Sequence, residues 1–264
     1  MIDFAINIET LYPGMDICEK IERVHAAGFN AIEFWGWQDR DLEKIKQTCK
    51  ACGVKVRAFS GTGNYSLCDR EHSGDFIEWV KKSIEAAKML DCDTLILFPN
   101  HFTPTGCADF RGKYSHEAMI AAITSTLVRL APVLEENHMT VLLEPICSIG
   151  SDGGMSVTDT SVGADIVRAV NSPRVKLLCD VFHMQMMHGK LLQNIAGNLD
   201  LVSYVHIADA PDRHEPGTGE INFDYLLPEL KKSGFDGTVC FEYFPQGDTD
   251  DGFPAVKQAM EMLK

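Results

Sequence analysis

The chain has 264 residues, of which 45% are hydrophobic and 23% are charged, a composition typical of a globular protein with a large core. Its formal net charge of −14 repels the phosphate backbone of nucleic acids and anionic membrane surfaces, so we expect neither as a partner. No N-terminal targeting signal is visible, nor an apolar run of the roughly 18 residues that a membrane span needs, so we expect a cytoplasmic protein.

Short β-branched or aromatic runs alternate with longer amphipathic runs along the whole chain. We predict eight strands, in the segments DFAIN (3–7), NAIEFW (30–35), VKVRAFS (54–60), TLILF (94–98), MTVLLE (139–144), RVKLLCD (174–180), LVSYVHI (201–207) and GTVCFEY (237–243). Each is followed by a predicted helix, at 15–29, 39–53, 74–90, 115–137, 159–170, 189–196, 223–234 and 253–264.

Eight strand-helix units in a chain of this length predict a closed (β/α)₈ TIM barrel that forms one domain over residues 1–264. The strands are apolar enough to be buried on both faces, as a parallel sheet requires. A doubly wound sheet is the main alternative. However, the first strand-helix turn, NIETLYPGMD, lacks the GxGxxG fingerprint of such nucleotide-binding folds.

Nine cysteines are scattered along the chain, and several lie inside apolar runs. The odd number and the lack of a regular spacing favour buried, reduced thiols over a disulfide framework. Cys49 and Cys52 form a CxxC pattern, but they lie in a predicted helix and no second pair accompanies them, so we predict no redox or zinc role.

Ligand-type residues end four successive predicted strands: Glu144, Asp180, His206 and Glu242. In TIM barrels, the chemistry lies at the carboxyl ends of the strands, so we expect these side chains to converge on one mouth. Three desolvated carboxylates repel one another unless a cation lies between them. We therefore predict one divalent metal ion. This donor set suits Mn²⁺ or Mg²⁺, with Co²⁺, Fe²⁺ and Zn²⁺ open. The alternative is that each acid merely caps its strand.

Further polar residues follow these strand ends. His183 is expected to contact a substrate oxygen or a ligand carboxylate, and Arg213, in a Gly-rich loop, to bind a carboxylate or adjacent hydroxyls. His214 and Glu215 are better explained as anchors of that loop. The aromatic residues Trp35, Trp37 and Phe59 fit the wall of a pocket and the core equally well.

Four motifs carry a family resemblance: LLEPI, DVFHMQMMHGKL, IADAPDRHEPGTGEINFDYL and GFDGTVCFEYFPQGDT. With them the chain resembles the xylose-isomerase-like barrel superfamily, and most closely its hydroxypyruvate isomerase branch. The match is specific over about the last 125 residues. The first half matches only in its layout, although EFWGW and the following helix are similar.

The resemblance implies a role for each matching residue. Glu144 and Glu242 correspond to paired glutamates that bind the metal and catalyse, and Asp180 to an aspartate ligand. His183 and Arg213 correspond to substrate contacts. His206 departs from the pattern, because the hydroxypyruvate isomerases carry Gln there and the ketose 3-epimerases carry His. The second glutamate that epimerases keep soon after the first is absent from PICSIGSDGG.

The predicted function is therefore a metal-dependent isomerase that acts on a small hydroxycarbonyl compound by ene-diolate proton transfer. The resemblance implies hydroxypyruvate, giving tartronate semialdehyde, or a short 2-keto or tetronate-type sugar acid. The alternatives are a ketose 3-epimerase, an endonuclease of the same superfamily, and a non-catalytic metal-dependent sugar-binding barrel. The endonuclease would need more histidine ligands and a basic face. A small molecule is the expected partner, and a homo-oligomer stays open.

Overall fold

A computed structural model describes residues 1–148 and 154–264. The strands are β1 (Asp3–Asn7), β2 (Ala31–Phe34), β3 (Lys55–Ser60), β4 (Thr94–Leu97), β5 (Phe102–Thr103), β6 (Gly106–Cys107), β7 (Thr140–Leu143), β8 (Val175–Asp180), β9 (Val202–Ile207) and β10 (Thr238–Phe241). The α-helices are α1 (Ile17–Ala26), α2 (Leu42–Cys52), α3 (Ser73–Met89), α4 (His116–Glu136), α5 (Thr160–Val170), α6 (Val181–Met187), α7 (Leu191–Ala196), α8 (Phe223–Lys232) and α9 (Thr249–Leu263).

Eight of these strands form a closed parallel barrel in the order β1-β2-β3-β4-β7-β8-β9-β10. The barrel closes where β1 pairs with β10, with Asp3 opposite Thr238. The predicted fold class, a (β/α)₈ TIM barrel, is confirmed. Because all eight strands are parallel, their carboxyl ends open at one mouth.

The core has two layers. A small cluster fills the barrel interior, from Ala5, Ala58, Ile96, Leu142, Leu178, Tyr204 and Cys240. A larger cluster lies between the strands and the surrounding helices, and its members include Ile6, Val141 and Val205. Neighbouring strand residues such as Leu142 and Val141 thus face opposite layers, as the pleat of a strand requires. The interior cluster forms the floor beneath the mouth.

Helix α4 corrects one expectation from the sequence. It is 21 residues long and, by length and composition, apolar enough to cross a membrane, so the statement that no apolar run reaches this length was wrong. Here the helix buries one face, including Ile123, Leu127 and Leu130. It lies beside α3 and α5 in the ring of helices around the barrel. A buried helix of a large core has the same composition.

The eight predicted strands all form, and apart from shifts of up to three residues at element ends, the main differences from the prediction are the following. The antiparallel hairpin β5–β6 was missed because strands of two residues carry no periodic signal. Helix α6 was missed because it begins directly after β8, where the Asp180 carboxylate accepts a hydrogen bond from the backbone N–H of His183 and caps the helix. The closing helix begins at Thr249, four residues before its predicted start.

In the part of the chain that the structure describes, the nine cysteines form no disulfide, and eight of them are buried. Cys49 lies buried on α2, and Cys52 at the end of the same helix is partly exposed. The segment 149–153, which belongs to the PICSIGSDGG stretch discussed above, lies outside the described residues.

Candidate active site

The four predicted ligands converge at the barrel mouth. Glu144 follows β7, Asp180 ends β8, His206 lies in β9 and Glu242 follows β10. One oxygen or nitrogen atom from each lies within 4.8 Å of those of the other three, and all four residues are buried. Adjacent strands of the closed barrel carry them, so the main chain itself sets their spacing.

His206 lies between two sets of carboxylates. Its Nε2 is 3.0 Å from Glu33 Oε2, and its Nδ1 is 2.9 Å from Glu242 Oε2 and 3.7 Å from Asp180 Oδ2. Nδ1 is buried and makes no hydrogen bond. Burial alone would lower the pKa of His206, but the charges of Glu33 and Glu242 outweigh it and hold that pKa well above its usual range.

The two glutamates differ sharply in their surroundings. No residue that the structure describes donates a hydrogen bond to the Glu144 carboxylate, and burial raises its pKa well above the usual range. Glu242 instead accepts hydrogen bonds from Asn7, Trp35 and Arg213. Burial would raise the pKa of Glu242, but Arg213 and His206 lower it to about 2. In this arrangement, Glu242 is a fixed anion and Glu144 holds a proton readily.

Arg213 reaches into the ligand cluster. Its Nη2 donates to Asp180 Oδ2 at 2.8 Å and to Glu242 Oε2 at 2.6 Å, and its guanidinium lies 5.0 Å from the centre of the Phe182 ring. Burial would raise the pKa of Asp180, but His183 and Arg213 lower it well below its usual range. The predicted substrate-binding arginine is therefore also the counter-ion of two predicted ligands.

His183 lies beside the same cluster. Its Nε2 is 3.1 Å from Arg213 Nη1, and its Nδ1 is 3.0 Å from the Cys147 sulfur. Burial lowers the pKa of His183 to about 4, so the imidazole is neutral near neutral pH. Because an arginine can only donate, Nε2 is the acceptor, and the proton on Nδ1 points to the thiol.

The Arg213 loop is held from below by one buried carboxylate. Asp209 accepts four backbone hydrogen bonds, from the N–H groups of Ala210, Gly217, Gly219 and Ile221. A Cβ at Gly219 would lie 2.0 Å from the Ala210 carbonyl oxygen, so only glycine fits there. His214 and Glu215 bond to the backbone of Phe244 and Gln246 after β10, as expected of loop anchors.

The mouth opens into a cavity of about 500 Å³. Its polar end contains Glu144, His183, Arg213 and Glu242, and its walls include the aromatic residues Trp35, Phe98, Phe102 and Phe244. Of the three aromatic residues left undecided by the sequence, only Trp35 lines this cavity. Trp37 stacks on Trp79 and bonds to Ser83, and Phe59 stacks on Phe34 in the core.

The residues at the mouth fit a divalent cation. Three buried carboxylates share a small volume, and the unpartnered Nδ1 of His206 faces them. Arg213 offsets the charge of Asp180 and Glu242, but its hydrogen bonds do not reach Glu144. Three oxygens and one imidazole nitrogen form a donor set that hard or borderline divalent ions accept.

Three residues at the carboxyl ends of β1 and β2 complete the site: Asn7, Glu33 and Trp35. The sequence predicted no site role for Asn7 and Glu33 and left that of Trp35 open. Asn7 ends β1 and donates hydrogen bonds to Glu33 and Glu242. Glu33 in β2 contacts His206, and the Trp35 indole N–H donates to Glu242 Oε1 at 2.7 Å. Asn7 and Glu33 are polar residues at the ends of apolar runs. The rule applied to strands five to eight would have found both.

Comparisons with known proteins agree with this architecture. Residues 21–264 match the family model described as xylose isomerase-like TIM barrel. The chain is 28% identical over 259 residues to the hydroxypyruvate isomerase of Escherichia coli (strain K12). The alignment covers 96% of this chain and 97% of that protein. It is 23% identical over 261 residues to the 2-oxo-tetronate isomerase of Cupriavidus necator, and this alignment covers 96% of this chain and 97% of that protein.

A solved structure, described as AP endonuclease, family 2 from Brucella melitensis, superposes with a TM-score of 0.88 at 27% identity and covers 98% of this chain and 99% of that one. Both sequence relatives above are isomerases, so the predicted enzyme class is confirmed. The match extends over almost the whole length, including the first half, where the motifs alone were weak. The chain belongs to the xylose isomerase-like TIM barrel family.

Proposed function

We propose that this chain is a divalent-metal-dependent isomerase that moves a proton between adjacent carbons of a small hydroxycarbonyl compound. One observation carries the proposal. Glu144, Asp180, His206 and Glu242 lie buried at the ends of four neighbouring strands, with donor atoms within 4.8 Å of one another. Burying three carboxylates side by side costs free energy, because each loses its hydration and repels the others. Such clusters are therefore expected mainly at functional sites.

These four residues would hold the ion, and Arg213 would turn part of its guanidinium to the substrate. When bound, the ion supplies a Lewis acid that polarises the substrate carbonyl and makes the neighbouring C–H more acidic. His183 offers its neutral imidazole beside Arg213, where it can orient a substrate hydroxyl. The aromatic walls of the cavity limit access of water to this end.

Glu144 is the proton carrier in this proposal, because its carboxylate, unlike that of Glu242, accepts no hydrogen bond from the described residues. A divalent cation beside it would favour the ionised form, which can accept a proton. It takes the proton from the hydroxyl-bearing carbon, and the released electron pair forms the carbon–carbon double bond of an ene-diolate. Glu144 then returns the proton to the former carbonyl carbon. The hydroxyl proton passes to the other oxygen, with Glu242 as the neighbouring group that can relay it.

The substrate class follows from the relatives and the charge of the site. The two relatives described above are named for hydroxypyruvate and 2-oxo-tetronate, both anionic 2-oxo acids. Arg213 is the cation that lines the cavity among the described residues, and its planar guanidinium suits a carboxylate. We therefore propose hydroxypyruvate or a short 2-oxo sugar acid as the substrate.

The test is a substrate panel assayed with each candidate metal. Hydroxypyruvate, 2-oxo-tetronate and C4–C6 ketoses are incubated with the chelator-treated enzyme, alone and with Mn²⁺, Mg²⁺ or Co²⁺. The proposal expects a metal-dependent shift of the carbonyl group from C2 to C3, which gives an aldehyde from hydroxypyruvate and a 3-oxo acid from 2-oxo-tetronate. Metal-independent turnover would contradict it, as would a metal-loaded enzyme that converts no member of the panel.

A ketose 3-epimerase is the second candidate, favoured by His206 and by a cavity of about 500 Å³ that has room for a longer sugar. It would change the configuration at C3 of a ketose without forming an aldehyde, so the same panel separates the two activities. An endonuclease is disfavoured by the net charge of −14. A non-catalytic sugar-binding barrel would bind metal and ligand without turnover.

A further inference from the structure

We propose that Glu33 is a positioning residue that fixes His206 as an Nδ1 ligand by accepting the hydrogen bond from its Nε2–H. This inference rests on the proposed metal site but assigns a residue outside the four predicted ligands. Glu33 lies in β2, across the barrel from β9, and only 1% of its surface is exposed. Its Oε2 is 3.0 Å from His206 Nε2.

The Glu33 carboxylate is itself held in place. Asn7 lies opposite Glu33 in the pairing of β1 with β2, and its amide donates to Glu33 Oε1 at 2.8 Å. The same amide donates to Glu242 Oε1 at 3.1 Å. With Oε1 bound to Asn7, Oε2 is directed to His206. The Asn7 amide thereby fixes the distance between Glu33, which contacts His206, and the predicted ligand Glu242.

The consequence for His206 is chemical. A neutral imidazole has one N–H and one lone pair, and only the nitrogen with the lone pair can bind a cation. Once a cation replaces the second proton of the ring, a carboxylate at Nε2 would keep the remaining proton there and leave the lone pair on Nδ1, which faces Glu144, Asp180 and Glu242. Such carboxylate–histidine pairs orient the ring and make the ligand nitrogen more basic.

One competing arrangement uses the same residues. Atoms of Glu33, His206 and Cys240 also lie within 4.8 Å of one another and could hold an ion themselves. In that case, Glu33 would be a ligand rather than a positioning residue, and His206 would present Nε2 to an ion. The number of ions bound per chain and the position of the imidazole proton distinguish these arrangements.

The experiment compares Mn²⁺ binding by the purified wild-type chain and by Glu33→Gln, His206→Gln and the double variant, measured from the electron paramagnetic resonance signal of free Mn²⁺. Glu33→Gln is expected to weaken binding about 10–100-fold. In the His206→Gln background, Glu33→Gln is expected to weaken Mn²⁺ binding little further, because the imidazole that Glu33 positions is absent. Glu135→Gln is the matched control, since Glu135 accepts a hydrogen bond from Ser172 on the outer layer, away from the mouth.

A second measurement is made on the wild-type chain and needs no Glu33 variant. In the ¹⁵N spectrum of the Mg²⁺-loaded wild type, with His206 assigned by comparison with His206→Gln, Nε2 is expected to carry the proton. A proton on Nδ1, wild-type affinity in Glu33→Gln, or a second Mn²⁺ lost in Glu33→Gln would each overturn the inference. A wild type that binds no Mn²⁺ would overturn the proposed function with it, whereas Mn²⁺ binding without isomerase activity would overturn the proposed reaction alone.

Discussion

The two halves of the barrel mouth contribute different kinds of residue. Strands β7 to β10 supply the four side chains that fit a cation, whereas β1 and β2 and the turn after β2 supply Asn7, Glu33 and Trp35, which bond to those side chains. Both sets lie at strand ends, so the same geometry delivers them. The difference shows that a residue's position at the mouth does not reveal whether it would touch the substrate or hold a neighbour that does.

The same contrast separates Glu144 from Glu242. Glu242 lies next to β1 across the closure of the barrel and is held by two donors from the first half. Glu144 lies farther from those donors and receives none of their hydrogen bonds. The first half of the barrel thus makes two chemically identical carboxylates unequal. Variants in each half of the barrel test whether β7 to β10 supply the reacting groups and β1 and β2 the residues that hold them.

The largest effect is expected in the second half. Glu144→Gln should lower kcat about 10²–10⁴-fold, because an amide keeps the size and an oxygen ligand but cannot accept the proton. Saturating Mn²⁺ should not restore the rate, and Glu242→Gln should also abolish turnover. Steady-state kinetics across a Mn²⁺ titration measure this, with exposed Glu136→Gln on α4 as the control. Recovery of the Glu144→Gln rate at high Mn²⁺ would make Glu144 only a ligand.

Arg213→Lys should mainly raise KM for an anionic substrate, by about 10–100-fold, since a hydrogen bond to a charged group contributes roughly 1.5–3 kcal/mol. Lysine keeps the charge but loses the planar pair of donors. Mn²⁺ affinity measured on the same variant should change less than KM. The control is Arg168→Lys on the exposed face of α5. An unchanged KM for a 2-oxo acid would limit Arg213 to a structural role.

The sequence contained much of this architecture. The alternation of strands and helices predicted the barrel, because buried parallel strands and amphipathic helices have distinct periodicities. The residues of β7 to β10 could be assigned because each ends its strand with a ligand-type side chain and lies in a long, specific motif. The β5–β6 hairpin could not, because its pairing depends on contacts between chain segments and leaves no periodic pattern.

The contribution of the first half could be found only in part. Asn7 and Glu33 are visible as polar strand ends, but their roles depend on distances across the barrel to Glu242 and His206, which are more than 170 residues away in sequence. Trp35 and Trp37 are two residues apart and chemically identical. Only the fold shows that the first lines the cavity and that the second, which is partly buried, stacks on Trp79 against the core.

That pair provides a matched test of the first half. Trp35→Phe removes the indole donor to Glu242 while Asn7 remains, and the ring is partly exposed, so we expect a loss in kcat/KM of about 2–10-fold, the value of one ordinary hydrogen bond. Trp37→Phe removes the bond to Ser83 in the core. It should lower the free energy of unfolding and leave kcat/KM unchanged. The opposite pattern, with Trp37→Phe affecting turnover and Trp35→Phe only stability, would contradict the assignment.

The smallest effect concerns His101, on the rim contributed by the loop after β4 and away from the predicted ligands. Its Nδ1 lies 2.9 Å from Ser66 Oγ, and burial lowers its pKa. At a pH between the folded and unfolded pKa values, the unfolded chain binds a proton that the folded chain does not. The free energy of unfolding is therefore unaffected by His101 above about pH 6.5, the ordinary pKa of histidine, and declines as the pH falls below that value. Urea denaturation at pH 7.5, 6.5 and 5.5 should show this decline in the wild type and a flatter profile in His101→Gln. Because His101 is only partly buried, the difference between the two profiles should be modest, and parallel profiles would show that this imidazole titrates alike in the folded and unfolded chain.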